Sequence, residues 1–314
     1  MPRRVRIPPA LTRAPFSVSD AREAGVGERR LKSADLRRPF YGVRTLAPIR
    51  ADDELTRVID RCREYAPRLL PGQFFSHLTA ARLWGIPLPT RFSDAELIHV
   101  TSTAPMNAPR GRGVSGHVAN DAATAERHGL PVSSAEQTWI ELASLLSLDD
   151  LTAAGDALVL DPVVFDPYDS RPFTTVAALG AALDGFHGRG AKRAASAHSL
   201  IRTGVESRTE TLLRLLAIRA GFPEPEIGID IRDSDGKFLG RADMFFREWR
   251  TIYEYDGDQH RSSTAQYERD IARIDAFIAA DYSVVRVRSW GLFVNPAHTV
   301  ARLHRALRGR GWPG

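Results

Sequence analysis

The 314-residue sequence has a single cysteine, Cys62, and its only lysines are Lys32, Lys192 and Lys237. One cysteine excludes an internal disulfide and any cysteine-based zinc site. The ordinary role for such a residue is that of a small buried hydrophobe. No run approaches eighteen consecutive apolar residues, so no membrane-spanning helix is expected. The opening segment MPRRVRIPPALTR is basic but lacks the apolar stretch of a secretory signal after it. These absences lead to the expectation of a cytoplasmic protein.

With lysine scarce, arginine carries the positive charge. Lys and Arg number 43 against 38 Asp and Glu, a net charge of +5. That balance allows nucleic-acid binding without demanding it. Arg suits bidentate phosphate recognition, but a GC-rich coding sequence also enriches Arg together with Ala, so the excess alone assigns no partner. The 43% hydrophobic content is ample for a core, and the length suggests two or three domains. No internal repeat is evident.

The most informative stretch is GRADMFFREWRTIYEYDGDQHR, Gly240 to Arg261. Aromatic and β-branched residues dominate two runs, 242–246 and 251–256, which predicts a hairpin with its tip at Glu248-Trp249. Equal counting from that tip sets Asp243 opposite Glu254, where like charges would destabilise a sheet. Asp256, two residues on, shares the face of Glu254. Three carboxylates on one face of an apolar hairpin call for a cation, and Mg²⁺ (or Mn²⁺) held by a few carboxylates with water and a substrate phosphate suits them. Upstream, Ser207 and Glu210 have the S-x-x-E spacing of a capping box at the start of an apolar helix, 210–220. Thr264 to Ala280 predicts another helix with Ile271, Ile274 and Ile278 inward. Arg286 and Arg288 share one face of the next strand and could support phosphates.

Taken together, Ser207-Arg208-Thr209-Glu210, the GFPEPE run at 221–226, Gly240-Arg241-Ala242-Asp243, Glu254-Tyr255-Asp256-Gly257 with His260, Arg269-Asp270 and Val284 to Arg288 resemble the PD-(D/E)XK nuclease superfamily. The branch is that of very-short-patch-repair endonucleases and related bacterial endonuclease-domain proteins, and the likeness covers about residues 200–314. It implies a mixed sheet flanked by helices and Mg²⁺-dependent DNA cleavage. It makes Asp243 and Glu254 the metal ligands, brings Glu210 toward the metal, and sets Arg273 as a phosphate contact beside a rim of Arg269 and Asp270. The superfamily pattern has Lys two residues after the glutamate, where this chain has Asp256. Lys237 is too far along the strand to substitute, at about 3.3 Å per residue. The repair branch uses histidine instead, which makes His260 the general base or leaving-group acid.

Residues 1–50 predict two short helices, near 17–25 and 28–34, then a basic turn and strand over 37–44. That outline resembles the winged helix-turn-helix module of AbiEi-type antitoxins, and the resemblance implies that Arg29, Arg30, Lys32, Arg37 and Arg38 meet DNA phosphates. A small helical cap with a solvated basic face is the alternative. Residues 51–199 resemble the α/β middle region of the same proteins, with helices over 53–65, 138–146 and 148–160, strands over 96–101 and 114–118, and Ser76 capping a helix that ends at Gly85. His77, His99 and His117 read as ordinary hydrogen-bonded residues beside apolar strands, Trp84 and Trp139 read as core, and no catalysis is expected there.

The expected architecture is therefore α/β (α+β), in three parts: 1–50 winged-helix-like, 51–199 α/β, and 200–314 endonuclease-like. The leading expectation of function is a Mg²⁺-dependent DNA endonuclease. The alternatives are an antitoxin-like DNA-binding regulator whose nuclease fold no longer cuts, or a fold that serves association with a toxin partner. Expected partners are DNA, with room for a toxin partner or a homodimer, and no membrane.

Overall fold

The computed structural model describes residues 6–48, 53–92, 97–164, 166, 169–257 and 264–314. The chain is mixed α/β and packs as two compact units: 1–145 with 181–191, and 146–180 with 192–314. Among the described residues no helix is long and apolar enough to cross a membrane.

The first unit opens with β1 (Phe16–Ser17) and α1 (Val18–Glu23), whose start is capped by Ser17 Oγ accepting from the Asp20 N–H. After α2 (Glu28–Leu31), β2 (Val43–Arg44) pairs antiparallel with β1. The basic segment 37–44 supplies a turn and a two-residue strand: the strand pairs with the segment ahead of α1, and one antiparallel bridge between Arg37 and Thr45 closes the turn. Ile7, Phe16, Ala21, Val26, Leu31 and Leu36 form a small buried cluster around these elements.

This part does not stand alone. Phe40 packs edge-on against Tyr65 at 5.1 Å, and Arg37 Nη2 donates to Glu64 Oε1 at 2.7 Å, both partners lying on α3 (Glu54–Tyr65). Residues 1–50 therefore belong to the same unit as α3, in place of the separate module that the sequence predicts. The rest of the unit runs β3 (Gln73–Phe75), α4 (His77–Leu83), β4 (Ile98–Thr103), β5 (Val114–Ala119), β6 (Thr124–Arg127), β7 (Leu130–Ser133) and α5 (Ala135–Leu142). Its mixed sheet has the order β5-β4-β3-β7-β6. Trp84 and Trp139 are buried as expected, and Trp84 Nε1 donates to the Ser133 carbonyl at 2.9 Å. Cys62 is fully buried.

The remaining elements are α6 (Leu148–Val159), α7 (Val176–Leu183), α8 (Ala191–Leu200), α9 (Arg208–Arg219), β8 (Glu226–Arg232), β9 (Phe238–Phe246), β10 (Thr251–Tyr255), α10 (Thr264–Ala279), β11 (Ser283–Val287) and α11 (Pro296–Gly309). The second unit begins near 146 rather than near 200, and charge pairing gives the reason. Three acids of α6 meet three arginines of α9: Asp149 with Arg219, Asp150 with Arg208, and Asp156 with Arg214. An apolar helix carrying those acids packs with the arginines that neutralise them.

The four-stranded sheet has the order β11-β10-β9-β8, with β8, β9 and β10 antiparallel and β10 parallel to β11. Thr251 pairs with Phe246, Ile252 with Phe245 and Tyr253 with Met244, the register that equal counting from Glu248-Trp249 predicts. One face packs Met244, Phe246, Tyr253, Val285 and Val287 with Leu213, Leu303 and Leu307 of α9 and α11. The other packs Phe245 and Ile252 with Ile274 and Phe277 of α10. Each fully buried large side chain contributes about 1.5–3 kcal/mol from its removal from water. Ile271 and Ile278, expected to point inward, are exposed; Phe277 with Ile274 defines the buried stripe instead.

Candidate functional site

Asp243 and Glu254 stand near the end of the β9–β10 pairing. Regular pairing stops at Tyr253 with Met244, and there the Asp243 carboxylate turns back so that Oδ2 accepts the Tyr255 N–H at 2.9 Å. Glu254 comes next on the central strand and is 3% exposed. Burial, then the neighbouring charges of Glu210 and Glu254, push the Asp243 carboxyl well above the usual carboxylate range. Glu254 is pushed up by burial and drawn back by Arg273.

Glu210 lies in the first turn of α9. Ser207 Oγ donates to its Oε1 at 2.7 Å and the Glu206 N–H to its Oε2 at 2.9 Å, while the Glu210 N–H donates to Ser207 Oγ. The capping box is therefore formed, and the same carboxylate is near enough to raise Asp243. Its own carboxyl is raised, chiefly by burial.

Arg273 is committed to Glu254. Its Nη1 donates to Oε1 at 2.7 Å and to the Arg241 carbonyl at 2.8 Å, and its Nη2 donates to Oε2 at 3.3 Å. The stem of Arg273 crosses the strand at Gly240, where a Cβ would come within 2.7 Å of Arg273 Cγ. Asp256 is clamped in turn: Oδ2 accepts from Arg288 Nε at 2.8 Å and lies 3.2 Å from Arg286 Nη2. Asp243 thus feels the charges of both Glu210 and Glu254, although the carboxylate oxygens of the three do not all come within 4.8 Å of one another, and Asp256 is set apart in an arginine pair. Arg286 and Arg288 hold that aspartate. His260 lies outside the described residues.

A buried carboxylate that feels two further negative charges is destabilised unless positive charge is nearby. Arg273 already supplies part of that charge to Glu254. Asp256, neutralised by two guanidinium groups, does not need it.

In the first unit the arginines expected at phosphates are mostly occupied. Arg30 is bidentate to Asp35 at 2.9 and 2.8 Å, Arg37 holds Glu64 and the Ala47 carbonyl, and Arg38 donates to the Lys32 carbonyl. Arg29 is exposed. A cleft of about 1290 Å³ is instead lined by Arg22, Arg38, Arg44, Arg61, Arg68 and Arg112, with Tyr41 at its edge, 90% exposed. Burial and the Arg38 charge lower the Arg44 pKa. Of the six, sequence reasoning named only Arg38; the others come from separate elements, and no spacing announces them.

A second cluster was also missed. His77, His99 and His117 carry ligand atoms that all lie within 4.8 Å of one another, a grouping that no other three metal-ligating side chains achieve among the described residues. Ser76 takes the helix-start position expected of it, but its hydroxyl accepts from Thr101 and lies 3.0 Å from His77 Nδ1, while Glu141 accepts the His77 N–H. Burial, with the neighbouring imidazoles, lowers His77 to about 3; burial and His117 lower His99 to about 4. Burial lowers His117 as well and pushes Glu141 up to about 7.

No family model, no curated protein and no solved structure matches this chain, so its function is read from these residues alone.

Proposed function

We propose that the second unit is a Mg²⁺- or Mn²⁺-dependent DNA endonuclease domain. The observation that carries this reading is Asp243, buried at the end of the β9–β10 pairing and held above the usual carboxylate range by that burial and then by the charges of Glu210 and Glu254. A buried carboxyl perturbed by neighbouring acids marks a candidate functional site, and carboxylates are the ligands that Mg²⁺ takes. Asp243, Glu210 and Glu254 would hold the ion, and the bound ion would polarise the scissile phosphate and lower the pKa of the attacking water. Tyr255 orients Asp243 through its N–H, and α9 fixes Glu210 through the capping box. His260 would move the proton. The mixed sheet flanked by helices agrees with this reading, and the arginine cleft of the first unit has the charge and the exposed aromatic that a nucleic-acid strand requires.

The test is a cleavage assay on duplex, mismatched and single-stranded DNA with Mn²⁺. Wild type should cut and EDTA should stop it. Asp243→Ala should lose about a thousandfold or more in rate, the equivalent of several kcal/mol of metal-derived stabilisation. Salt-dependent DNA binding with no cutting under any metal would overturn the catalytic reading.

One observation favours that second reading, a DNA-binding regulator of the antitoxin kind. Arg273 sits on Glu254 where the cutting mechanism requires a free carboxylate. Arg273→Gln separates the two. In an enzyme it should tighten Mn²⁺ binding severalfold while lowering metal-free stability by about 1–3 kcal/mol, because Glu254 is left buried without its partner. Destabilisation with no gain in metal affinity would identify Arg273 as a permanent counter-charge.

A further inference from the structure

We propose that His77, His99 and His117 form a binding site for a divalent transition metal of the zinc class, distinct in chemistry from the carboxylate cluster. Three nitrogen donors suit Zn²⁺ and its neighbours, whereas Mg²⁺ prefers oxygen.

The backbone brings the three together. β4 and β5 run parallel with Thr101 opposite His117, so His99 and His117 share a face two positions apart in register. Their Nδ1 and Nε2 atoms stand 3.0 Å apart. Two nitrogens at 2.0–2.1 Å from a tetrahedral zinc are separated by about 3.3 Å, so this pair already spans nearly one edge of a coordination sphere. The third ligand is delivered by the turn from β3 into α4. The Ser76 N–H donates to the His99 carbonyl at 3.1 Å, which ties that turn to β4. The His77 ring stacks 3.8 Å from His117 and 5.6 Å from His99. One ligand atom from each of the three imidazoles lies within 4.8 Å of the others.

Two features go beyond packing. His77 has φ +51°, a conformation that non-glycine residues adopt at a cost and that accumulates at functional sites. What holds it there is Glu141, which accepts the His77 N–H at 2.7 Å and lies 3.6 Å from His77 Nδ1. Glu141 is itself fixed by Ser133 Oγ and Gln137 Nε2. A buried carboxylate behind an imidazole is the partner that orients a metal-bound histidine. With Nδ1 of His77 turned toward Ser76 and Glu141, Nε2 is the atom left for the metal. All three imidazoles are held neutral, the form that ligates. Each is only partly buried, so three protein ligands leave a fourth position open to solvent, which is the pattern of a zinc that binds water or substrate rather than one that staples a fold.

The experiment is calorimetric titration of the full chain with Zn²⁺, alongside visible absorption with Co²⁺. Wild type should bind a single ion, and Co²⁺ should give the intense bands of a tetrahedral site. His99→Gln with His117→Gln should abolish both signals. Glu141→Gln should weaken Zn²⁺ binding about 10- to 100-fold. Asp243→Asn should leave Zn²⁺ binding unchanged, which separates this site from the proposed nuclease centre. If the double variant does not fold, His117→Asn alone, with the Zn²⁺-induced rise in melting temperature, provides the same comparison. Absence of binding in wild type, or binding that the histidine variants do not disturb, would overturn the proposal.

Discussion

Asp243→Asn is expected to raise the melting temperature of the metal-free protein while removing its affinity for Mg²⁺ and Mn²⁺. The carboxyl is raised by burial and by the charges of Glu210 and Glu254, so the folded state binds its proton more tightly than the unfolded chain does. The stability it contributes is complete below the ordinary carboxylate range and is lost as pH rises through the raised value. At neutral pH the ionised form therefore burdens the fold. Asn keeps an oxygen for the Tyr255 N–H and removes the charge. A gain of about 1–2 kcal/mol is expected, the usual size for relieving a strained functional residue, or about 2–4 °C for each kcal/mol in a unit of this size. Thermal melts in EDTA across pH 5 to 8 provide the check. Wild type should lose stability with rising pH, and the variant should lose less. A variant less stable than wild type at neutral pH would mean that Asp243 is a structural acceptor and nothing more.

The largest loss of stability is expected at Arg214. Its side chain is 0% exposed, and its partner Asp156 is 1% exposed. Nη2 donates to Asp156 Oδ2 at 3.2 Å and to the Leu200 carbonyl at 2.7 Å, and Nη1 donates to Glu224 Oε1 at 3.1 Å. Asp156 also accepts from the Arg202 N–H and from Thr211 Oγ1, each at 2.8 Å. Burial pushes Asp156 up to about 6 even with the guanidinium beside it, so without Arg214 the carboxylate must be buried uncompensated or take up a proton. Arg214→Met should cost about 3–5 kcal/mol, the penalty for removing one member of a buried pair. Asp156→Asn introduced in the same chain should recover part of that, because the amide oxygen still accepts from Arg202 and Thr211 and no charge remains. Chemical denaturation of the two single variants and the double variant measures the coupling directly. Additive losses would mean that the pair is not the organising contact between α6 and α9.

How much of this was legible in the sequence depends on separation along the chain. The β9–β10 hairpin was readable because its register is set locally, by a short tip between two β-rich runs. Asp243, Glu254 and the Ser207–Glu210 box were found for the same reason. The α6–α9 pairing was not readable, since Asp156 and Arg214 lie 58 residues apart, and this is why the boundary expected near 200 stands near 146. Strand parity groups Asp256 with Glu254, but parity does not reveal that Arg286 of β11 and Arg288 just after it neutralise that aspartate. Taken one at a time, each histidine reads as an ordinary residue beside an apolar strand. Their parity on ELIHVT and VSGHV was visible, but the parallel pairing of β4 with β5 that joins them was not. Likewise, arginine counts could not show that Arg44, Arg61, Arg68 and Arg112 would line one cleft.

The decisive measurement for the carboxylate site is a calorimetric titration of Mn²⁺ into the metal-free protein, wild type against Asp243→Asn. Saturable binding by wild type that disappears in the variant is the predicted result, because the proposed ion rests on Asp243. Equal binding by both proteins, or none by wild type, would contradict it and leave the three carboxylates as a buried acidic cluster balanced by Arg273 alone.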